Sequence, residues 1–263
     1  MLGRWATLLF VDFTLLLVPA WSQDAEHYFQ EGSNFLTQRQ PDFALAAFRR
    51  AVELRPEHAR AWKAIGVILA SRMDYEGAEA AFRNACERQP ALADGCLYHG
   101  RTLYLLNRFS GAIQVLRRTV RSDPNNAEGY RLLGLSLEGS GERADAATAF
   151  QQAMRLPFRG AADEDPGIDY GVFLFRQGQA EQALKPLEDV LQRHPNAGRA
   201  HLELGCVLLA LDHLERASAQ LEQAVALQPG NQRAHLLLGK AYLRLGRVDA
   251  AEEQLRQGSR TVK

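Results

Sequence analysis

The sequence predicts an all-α protein built from antiparallel helix pairs that stack one after another along the chain. Three features predict this. A glycine returns every 34 residues, with one interval of 37, at Gly32, Gly66, Gly100, Gly134, Gly171, Gly205 and Gly239. An alanine follows each glycine by 12 residues, with a Phe or Leu four residues further on, and proline closes five of the seven units. Such a period indicates one supersecondary unit copied and stacked, each copy burying its apolar face against its neighbours.

Two helices, A and B, are expected in every repeat. With each glycine counted as position 8, the repeats begin at Ala25, Ala59, Ala93, Ala127, Glu164, Gly198 and Gln232. Positions 4, 7, 8 and 11 lie on one helical stripe, and positions 20, 24 and 27 lie on another. A mid-helix glycine costs up to about 1 kcal/mol relative to alanine. Its recurrence therefore predicts a close approach to the backbone of helix A, with the bulky residue filling the space.

The pattern resembles the tetratricopeptide repeat family, with its W-x2-L-G-x2-Y, A-x3-F-x2-A and P signature, from Ala25 to about Val262. The second repeat carries Trp62, Ile65-Gly66, Leu69, Ala78, Phe82, Ala85 and Pro90. The resemblance implies an α-solenoid, a single right-handed superhelix over residues 25–263. It also implies that the A helices line an inner groove.

One junction breaks the period. Between the fourth and fifth glycines the spacing grows by three residues, within the segment from Leu156 to Gly167. Asp165-Pro166 has the pattern of a helix N-cap followed by proline in the first turn. The segment is either a hinge or binding loop, or a longer surface turn that costs little stability. We expect the repeats on both sides of this segment to share one core.

The first 22 residues do not belong to the repeats. A basic start at Arg4 precedes an apolar run from Trp5 to Val18, broken only by Asp12. Val18 and Ala20 suit cleavage before Trp21, which is typical of a secretory signal peptide and predicts a periplasmic or secreted protein. Two alternatives are an uncleaved membrane anchor over residues 5–21 and a helix that caps the first repeat.

The three cysteines suggest one bridge. Cys86 and Cys96 flank the turn after the second repeat, so an antiparallel helix pair could bring them together. A disulfide there fits an exported protein, and the alternative is two buried thiols. Cys206 has no evident partner.

The sequence predicts neither an enzyme nor a cofactor. Residues 139–144 read G-S-G-E-R-A, close to a dinucleotide fingerprint, but no strand precedes them. The seven histidines show no HxxxH or HExxH spacing, and no CxxC exists. We therefore expect no catalytic residue, metal or cofactor. The balance of 31 acidic and 31 basic residues also disfavours nucleic acid and anionic membranes as partners.

The expected function is protein–protein interaction. In the resembled family, positions 2, 5, 9, 12 and 13 of helix A tend to face the groove, which would bind an extended peptide or a partner helix. At these positions the candidates are Arg60, Lys63, Arg101, Tyr104, Arg131, Ile168, Phe175, Arg176, Leu202, Leu236 and Lys240. The alternative for these residues is that the leucines pack between A helices and the arginines are solvated.

A structural role is the second functional alternative. The array could assemble through its ends or with a membrane complex. The last helix, from Asp249 to about Arg256, has a polar outer face, which disfavours end-to-end stacking. We therefore expect a monomer, with membrane contact only through an uncleaved leader.

Overall fold

The computed structural model describes residues 20–88 and 93–259, with side chains from Asp24 and Asp94 onward in these two stretches. The described residues form fourteen α-helices and no β-strand, which confirms the predicted all-α class. The chain divides into two compact units of more than one repeat each: unit 1, Met1–Gln89, and unit 2, Pro90–Lys263. Most of the predicted leader lies outside the described residues. None of the described helices combines the length and apolar character that a membrane span requires.

Unit 1 contains two helix pairs. Its helices are α1 (Ala20–Thr37), α2 (Pro41–Leu54), α3 (Ala59–Ser71) and α4 (Tyr75–Arg88). Helix α1 packs on α2, α2 on α3 and α3 on α4. The core between them is built from small and branched residues around Phe48, including Ala44, Ala61, Ile65 and Ile68.

Unit 2 contains five helix pairs. Its helices are α5 (Ala93–Leu105), α6 (Phe109–Ser122), α7 (Ala127–Ser140), α8 (Arg143–Arg155), α9 (Pro166–Arg176), α10 (Ala180–Arg193), α11 (Gly198–Ala210), α12 (Leu214–Leu227), α13 (Gln232–Arg244) and α14 (Val248–Ser259). Each B helix packs on the next A helix, and the A helices α5, α7, α9, α11 and α13 contact one another in that order. The A helices therefore form one continuous layer of this unit.

The repeating glycines are sites of close approach, as the sequence predicts. A Cβ atom at any of the seven would lie 2.6–2.8 Å from the Phe or Leu at position 24 of the same repeat. The alanine at position 20 is fully buried in all seven repeats. The helix pair of each repeat is therefore closed by a bulky side chain of helix B seated on the bare backbone of helix A.

The enlarged junction is ordered by its own polar residues. A short 3-10 turn, Ala162–Glu164, precedes α9. Asp165 caps α9 as predicted, because its Oδ1 accepts a hydrogen bond of 2.8 Å from the N–H of Gly167, and Pro166 opens the helix. Asp165 is buried and also accepts a hydrogen bond from Arg193.

The cysteine bridge stays a prediction. Cys86 lies on α4 in unit 1 and Cys96 on α5 in unit 2, and both side chains are buried. Cys206 is a free, half-buried thiol on α11. Burial raises the pKa of Cys206.

We predict that Gly134→Ala destabilises the protein by about 1–3 kcal/mol through overpacking, which outweighs the gain in helix propensity of up to about 1 kcal/mol. The new Cβ would lie 2.8 Å from ring atoms of the fully buried Phe150. Urea denaturation measures the effect. Gly230→Ala is the matched control, because no heavy atom lies within 4 Å of its added Cβ. Equal free energies of unfolding for the two variants would contradict the close approach.

A second prediction concerns His58, which caps α3 in unit 1. Its Nδ1 accepts a hydrogen bond of 3.3 Å from the N–H of Ala61, and the ring is buried. Burial lowers the pKa of His58 below its usual 6.5, Arg55 lowers it further, and Glu26 opposes the shift. The folded state thus favours the neutral ring. As pH falls below 6.5, His58 is therefore protonated in the unfolded chain before it is protonated in the folded one. The stabilisation is therefore complete above 6.5 and is lost as pH falls from there toward the folded-state pKa.

We expect hydrogen-exchange protection factors of α3 to decrease between about pH 7.5 and about pH 5. His58→Asn is the control, because asparagine keeps a capping acceptor and does not titrate. The pH dependence should be weaker in that variant. The same dependence in both proteins would exclude His58 as its cause.

Candidate functional site

Four arginines from four A helices of unit 2 meet at one pocket of about 270 Å³, which we call the arginine pocket. They are Arg101 on α5, Arg131 on α7, Arg176 on α9 and Arg199 on α11. Two carboxylates, Glu138 and Asp169, also line the pocket, and its other walls are Tyr104, Leu105, Leu132, Leu135 and Val172. The lining residues carry four positive and two negative charges. Glu128 and Glu164, which do not line the pocket, pair with Arg131 and Arg101.

Arg131 is the most buried of the four arginines. Its side chain is 7% exposed and donates to Glu128 at 2.6 and 2.8 Å and to Asp169 at 2.6 Å. Burial alone lowers the pKa of Arg131, but the hydrogen bonds and charges of Glu128 and Asp169 outweigh it and raise the pKa. Arg131 therefore remains a cation in the lining of the pocket.

Asp169 joins three A helices. Its carboxylate is only 4% exposed and accepts hydrogen bonds from Arg131 of α7 and Arg199 of α11. A buried carboxylate without partners would cost several kcal/mol. Asp169 thus requires both arginines, and it orients them along one side of the pocket.

The 3-10 turn before α9 reaches across this layer. Asp163 accepts a hydrogen bond of 2.9 Å from the backbone N–H of Arg199 and another of 2.9 Å from the side chain of Gln228. It thereby caps α11, whose own N-cap residue, Ala197, has no side-chain acceptor. The adjacent Glu164 lies 3.5 Å from Arg101 on α5. The turn therefore contacts arginines at both sides of the arginine pocket.

Tyr104 supplies a neutral hydroxyl to the same pocket. Burial raises its pKa, and the charges of Asp169 and Glu138 add to the rise, while Arg131 and Arg176 oppose it. The phenol therefore stays protonated near neutral pH and can donate a hydrogen bond to an anionic ligand.

The structure brings together four of the residues that the sequence assigns to the groove: Arg101, Tyr104, Arg131 and Arg176. The other candidates of unit 2 are distributed differently. Ile168 and Leu202 are buried in the core, at 0% and 5% exposure, and Phe175 is half-buried. Leu236 and Lys240 are exposed on α13.

The two candidates of unit 1 lie on α3. Arg60 is exposed, donates to Glu26 at 2.9 Å and stands 4.7 Å above the ring of Phe29. Lys63 is half-buried on the same helix.

Two important residues of the pocket are absent from the groove candidates named from the sequence. Arg199 lies at position 2 of its repeat, one of the positions that face the groove in the resembled family, and that position is the signal for it. Asp169 interrupts an otherwise apolar start of α9, between Ile168 and Tyr170. That isolated carboxylate is the signal that could have identified it, because a charge on a buried helix requires a partner.

Family comparisons agree with the repeat pattern. Models described as tetratricopeptide repeat match residues 29–93, 98–166 and 202–258, and a further one matches 174–226. The chain belongs to the tetratricopeptide repeat family. A human relative, protein IFIT1 homolog B, is 26% identical over 141 residues, which cover 50% of this chain and 29% of that protein. This tetratricopeptide repeat protein thus matches less than a third of that relative's length.

Solved structures show the same fold. PilF of Pseudomonas aeruginosa superposes with a TM-score of 0.63 at 21% identity, covering 82% of this chain and 97% of PilF. YrrB, a tetratricopeptide repeat protein with an unusual peptide-binding site, superposes with a TM-score of 0.51 at 22% identity, covering 72% and 95% of the two chains. At such identities the likeness concerns the fold alone.

We predict that Asp163→Ala destabilises unit 2 by about 0.5–2 kcal/mol, the usual cost of a lost helix cap. Urea denaturation and hydrogen exchange at the start of α11 report the change. Asp163→Asn keeps an acceptor for the N–H of Arg199 and should lose less. If Asp163→Ala matches the wild type in both measurements, the turn does not cap α11 in solution.

Proposed function

We propose that this protein is a non-catalytic adaptor whose unit 2 binds an extended, acidic segment of a partner protein along its layer of A helices. The observation that carries the proposal is the arginine pocket. Four guanidinium groups from four successive repeats converge there, against two lining carboxylates. Arginine matches carboxylates in a planar, two-bond geometry, which suits it to recognise aspartate and glutamate side chains.

The four arginines divide into two classes. Arg131 and Arg199 hydrogen-bond the buried Asp169 and give the pocket a fixed basic wall. Arg101 and Arg176 have side chains 44% and 63% exposed, and their carboxylate contacts, with Glu164 and Glu138, are long at 3.5 and 3.3 Å. Exposed pairs of this kind contribute little stability. Arg101 and Arg176 are therefore the groups that leave Glu164 and Glu138 and bind an incoming carboxylate.

The surface continues beyond the pocket along the same layer. Helix α13 follows α11 and exposes Leu236, 39% accessible, beside the exposed Lys240. Apolar and basic side chains at one surface suit a segment that carries both apolar and acidic residues. Membership of a repeat family that contains the peptide-binding YrrB supports a role in binding protein.

The proposed location is the periplasm or the exterior of the cell. The support is the leader pattern in the first 22 residues, with a basic start, an apolar run and small residues at the cleavage positions. A disulfide between Cys86 and Cys96 would belong to the same oxidising compartment.

Fluorescence anisotropy with the labelled peptide Gly-Ser-Ala-Glu-Ala-Ala-Glu-Ala-Ser-Gly tests the proposal on the full chain. We expect Arg101→Gln and Arg176→Gln each to weaken binding by about tenfold, because a hydrogen bond to a charged group is worth about 1.5–3 kcal/mol. Arg155→Gln, an exposed arginine at the end of α8, is the control of equal charge change. Equal affinities of all three variants would leave only non-specific attraction and contradict the proposal.

The contact of Glu164 with Arg101 allows a test in the opposite direction. Glu164→Gln removes an internal competitor for Arg101, so the same peptide should bind up to about fivefold more tightly, the worth of an exposed pair. Glu181→Gln removes an equal charge from an exposed site on α10 and should have a smaller effect. A Glu164→Gln variant that binds no better than Glu181→Gln would show that Glu164 does not compete for Arg101.

A further inference from the structure

A second, larger pocket adjoins the arginine pocket, and we call it the insertion pocket. Its volume is about 800 Å³, within the usual range for ligand sites. It lies in unit 2 between the first turns of α5, the start of α7 and the enlarged junction after α8. Its lining includes Tyr98 and Arg101 of α5, Glu128 of α7, and Phe158 and Glu164 of the junction.

The break in the repeat period builds one wall of this pocket. At the junctions after Pro124, Pro195 and Pro229, two residues separate the closing proline from the next A helix. After Pro157, eight residues, 158–165, precede α9 at Pro166. The first of these extra residues, with Pro157, line the pocket. The insertion pocket is therefore a feature of this junction and not of the repeat itself.

Much of the wall is apolar and accessible. Tyr98 is 36% exposed on α5, and Leu97 beside it is half-buried. Across the pocket, Pro157 is exposed and Phe158 is half-buried. An aromatic side chain placed among these four residues would bury apolar surface on the ligand and on the protein together.

The acidic groups of the pocket favour an apolar occupant over a second carboxylate. Glu128 is held by Arg131 at 2.6 Å, and Glu164 is 3.5 Å from Arg101. Asp94, which is exposed, brings the lining carboxylates to three, against the two arginines Arg101 and Arg159. The excess of negative charge directs a ligand carboxylate toward the arginine pocket.

Arg101 connects the two pockets. It lines both of them, and its pair with Glu164 stands where they meet. A ligand carboxylate that replaces Glu164 on Arg101 is therefore held at the rim of both pockets. The residue next to that carboxylate in an extended peptide is then within reach of the insertion pocket, since consecutive Cα atoms are about 3.8 Å apart.

We infer that the insertion pocket receives a large apolar side chain adjacent to the acidic residue that Arg101 binds. The partner segment thus carries an aspartate or glutamate flanked by an aromatic or large aliphatic residue. This inference rests on the proposed function and adds the specificity that the arginines alone do not provide. The carboxylate supplies the charge, and the flanking side chain supplies the selection among acidic segments.

Two labelled peptides test the inference on the full chain by fluorescence anisotropy. One is the alanine peptide used above, and the other, Gly-Ser-Phe-Glu-Phe-Ala-Glu-Ala-Ser-Gly, places phenylalanine on both sides of the first glutamate. Phenylalanine on both sides makes the test independent of the direction in which the peptide lies. The wild type should prefer the phenylalanine peptide by about tenfold, as expected for an apolar side chain in a fitted pocket.

The preference should fall to about twofold or less in Tyr98→Ala and, independently, in Phe158→Ala, when the pocket wall is removed. Val248→Ala is the matched control, because Val248 is an exposed apolar residue of unit 2 outside both pockets, and it should keep the full preference. Circular dichroism checks that each variant retains its helices. Two variants on different segments keep the test valid if one of them fails to fold.

The outcomes separate the inference from the proposed function. A wild type that binds both peptides equally, with both weakened by Arg101→Gln, overturns the insertion pocket and leaves the arginine pocket intact. A preference for phenylalanine that survives both wall variants also overturns it. Absent binding, or binding of both peptides that Arg101→Gln does not change, overturns the proposed function itself.

Discussion

The contact between a bulky side chain of helix B and a glycine of helix A is the interaction on which each repeat depends. At Gly134 and Gly205, as at the other five positions, the helix A backbone has no Cβ, and Phe150 or Leu221 occupies that space. The glycine lowers the intrinsic stability of its helix, so only the packing that it permits can offset the loss. Because each pair closes within itself, its remaining faces are available to neighbouring pairs and to ligands.

A second constraint determines the chemistry of unit 2. Asp169 on α9 and Asp163 in the 3-10 turn before it together hold the side chain and the backbone N–H of Arg199. Buried ion pairs add little net stability, because the cost of desolvation offsets the attraction. What they provide here is position: Arg131 and Arg199 are held in one orientation, whereas Arg101 and Arg176 remain exposed. Two arginines fixed in orientation, beside two exposed arginines that can change partners, suit the recognition of acidic segments.

The irregular junction concentrates the features that the repeats do not share. The same few residues cap α9 through Asp165, cap α11 through Asp163, contact Arg101 through Glu164 and form a wall of the insertion pocket. A regular array offers nearly equivalent surfaces in every repeat. An insertion makes one place on such an array chemically distinct, which is what a selective binding site requires.

Much of the fold was predictable because its determining contacts are local. The helix starts at Ala59, Ala127 and Gly198, the cap at Asp165 and the approach of Phe150 to Gly134 all follow from periodicity and turn chemistry within one repeat. The site was predicted less completely. Arg101, Tyr104, Arg131 and Arg176 were assigned to one groove and do share a pocket, but Ile168 and Leu202 of the same assignment are buried. A position in a repeat specifies a helix face and not how far the neighbouring helices cover it.

The sequence by itself determined the repeat, its helix pairs and the glycine–side chain contact, because these depend on residues less than one repeat apart. Only the tertiary structure decided which charges are buried, which remain exposed, and that the insertion lies across the A helices. The deciding hydrogen bonds, from Arg131 and Arg199 to Asp169 and from Gln228 to Asp163, join residues 38, 30 and 65 positions apart. Separations of this size are set by how successive repeats pack, and a pattern read within one repeat does not contain them.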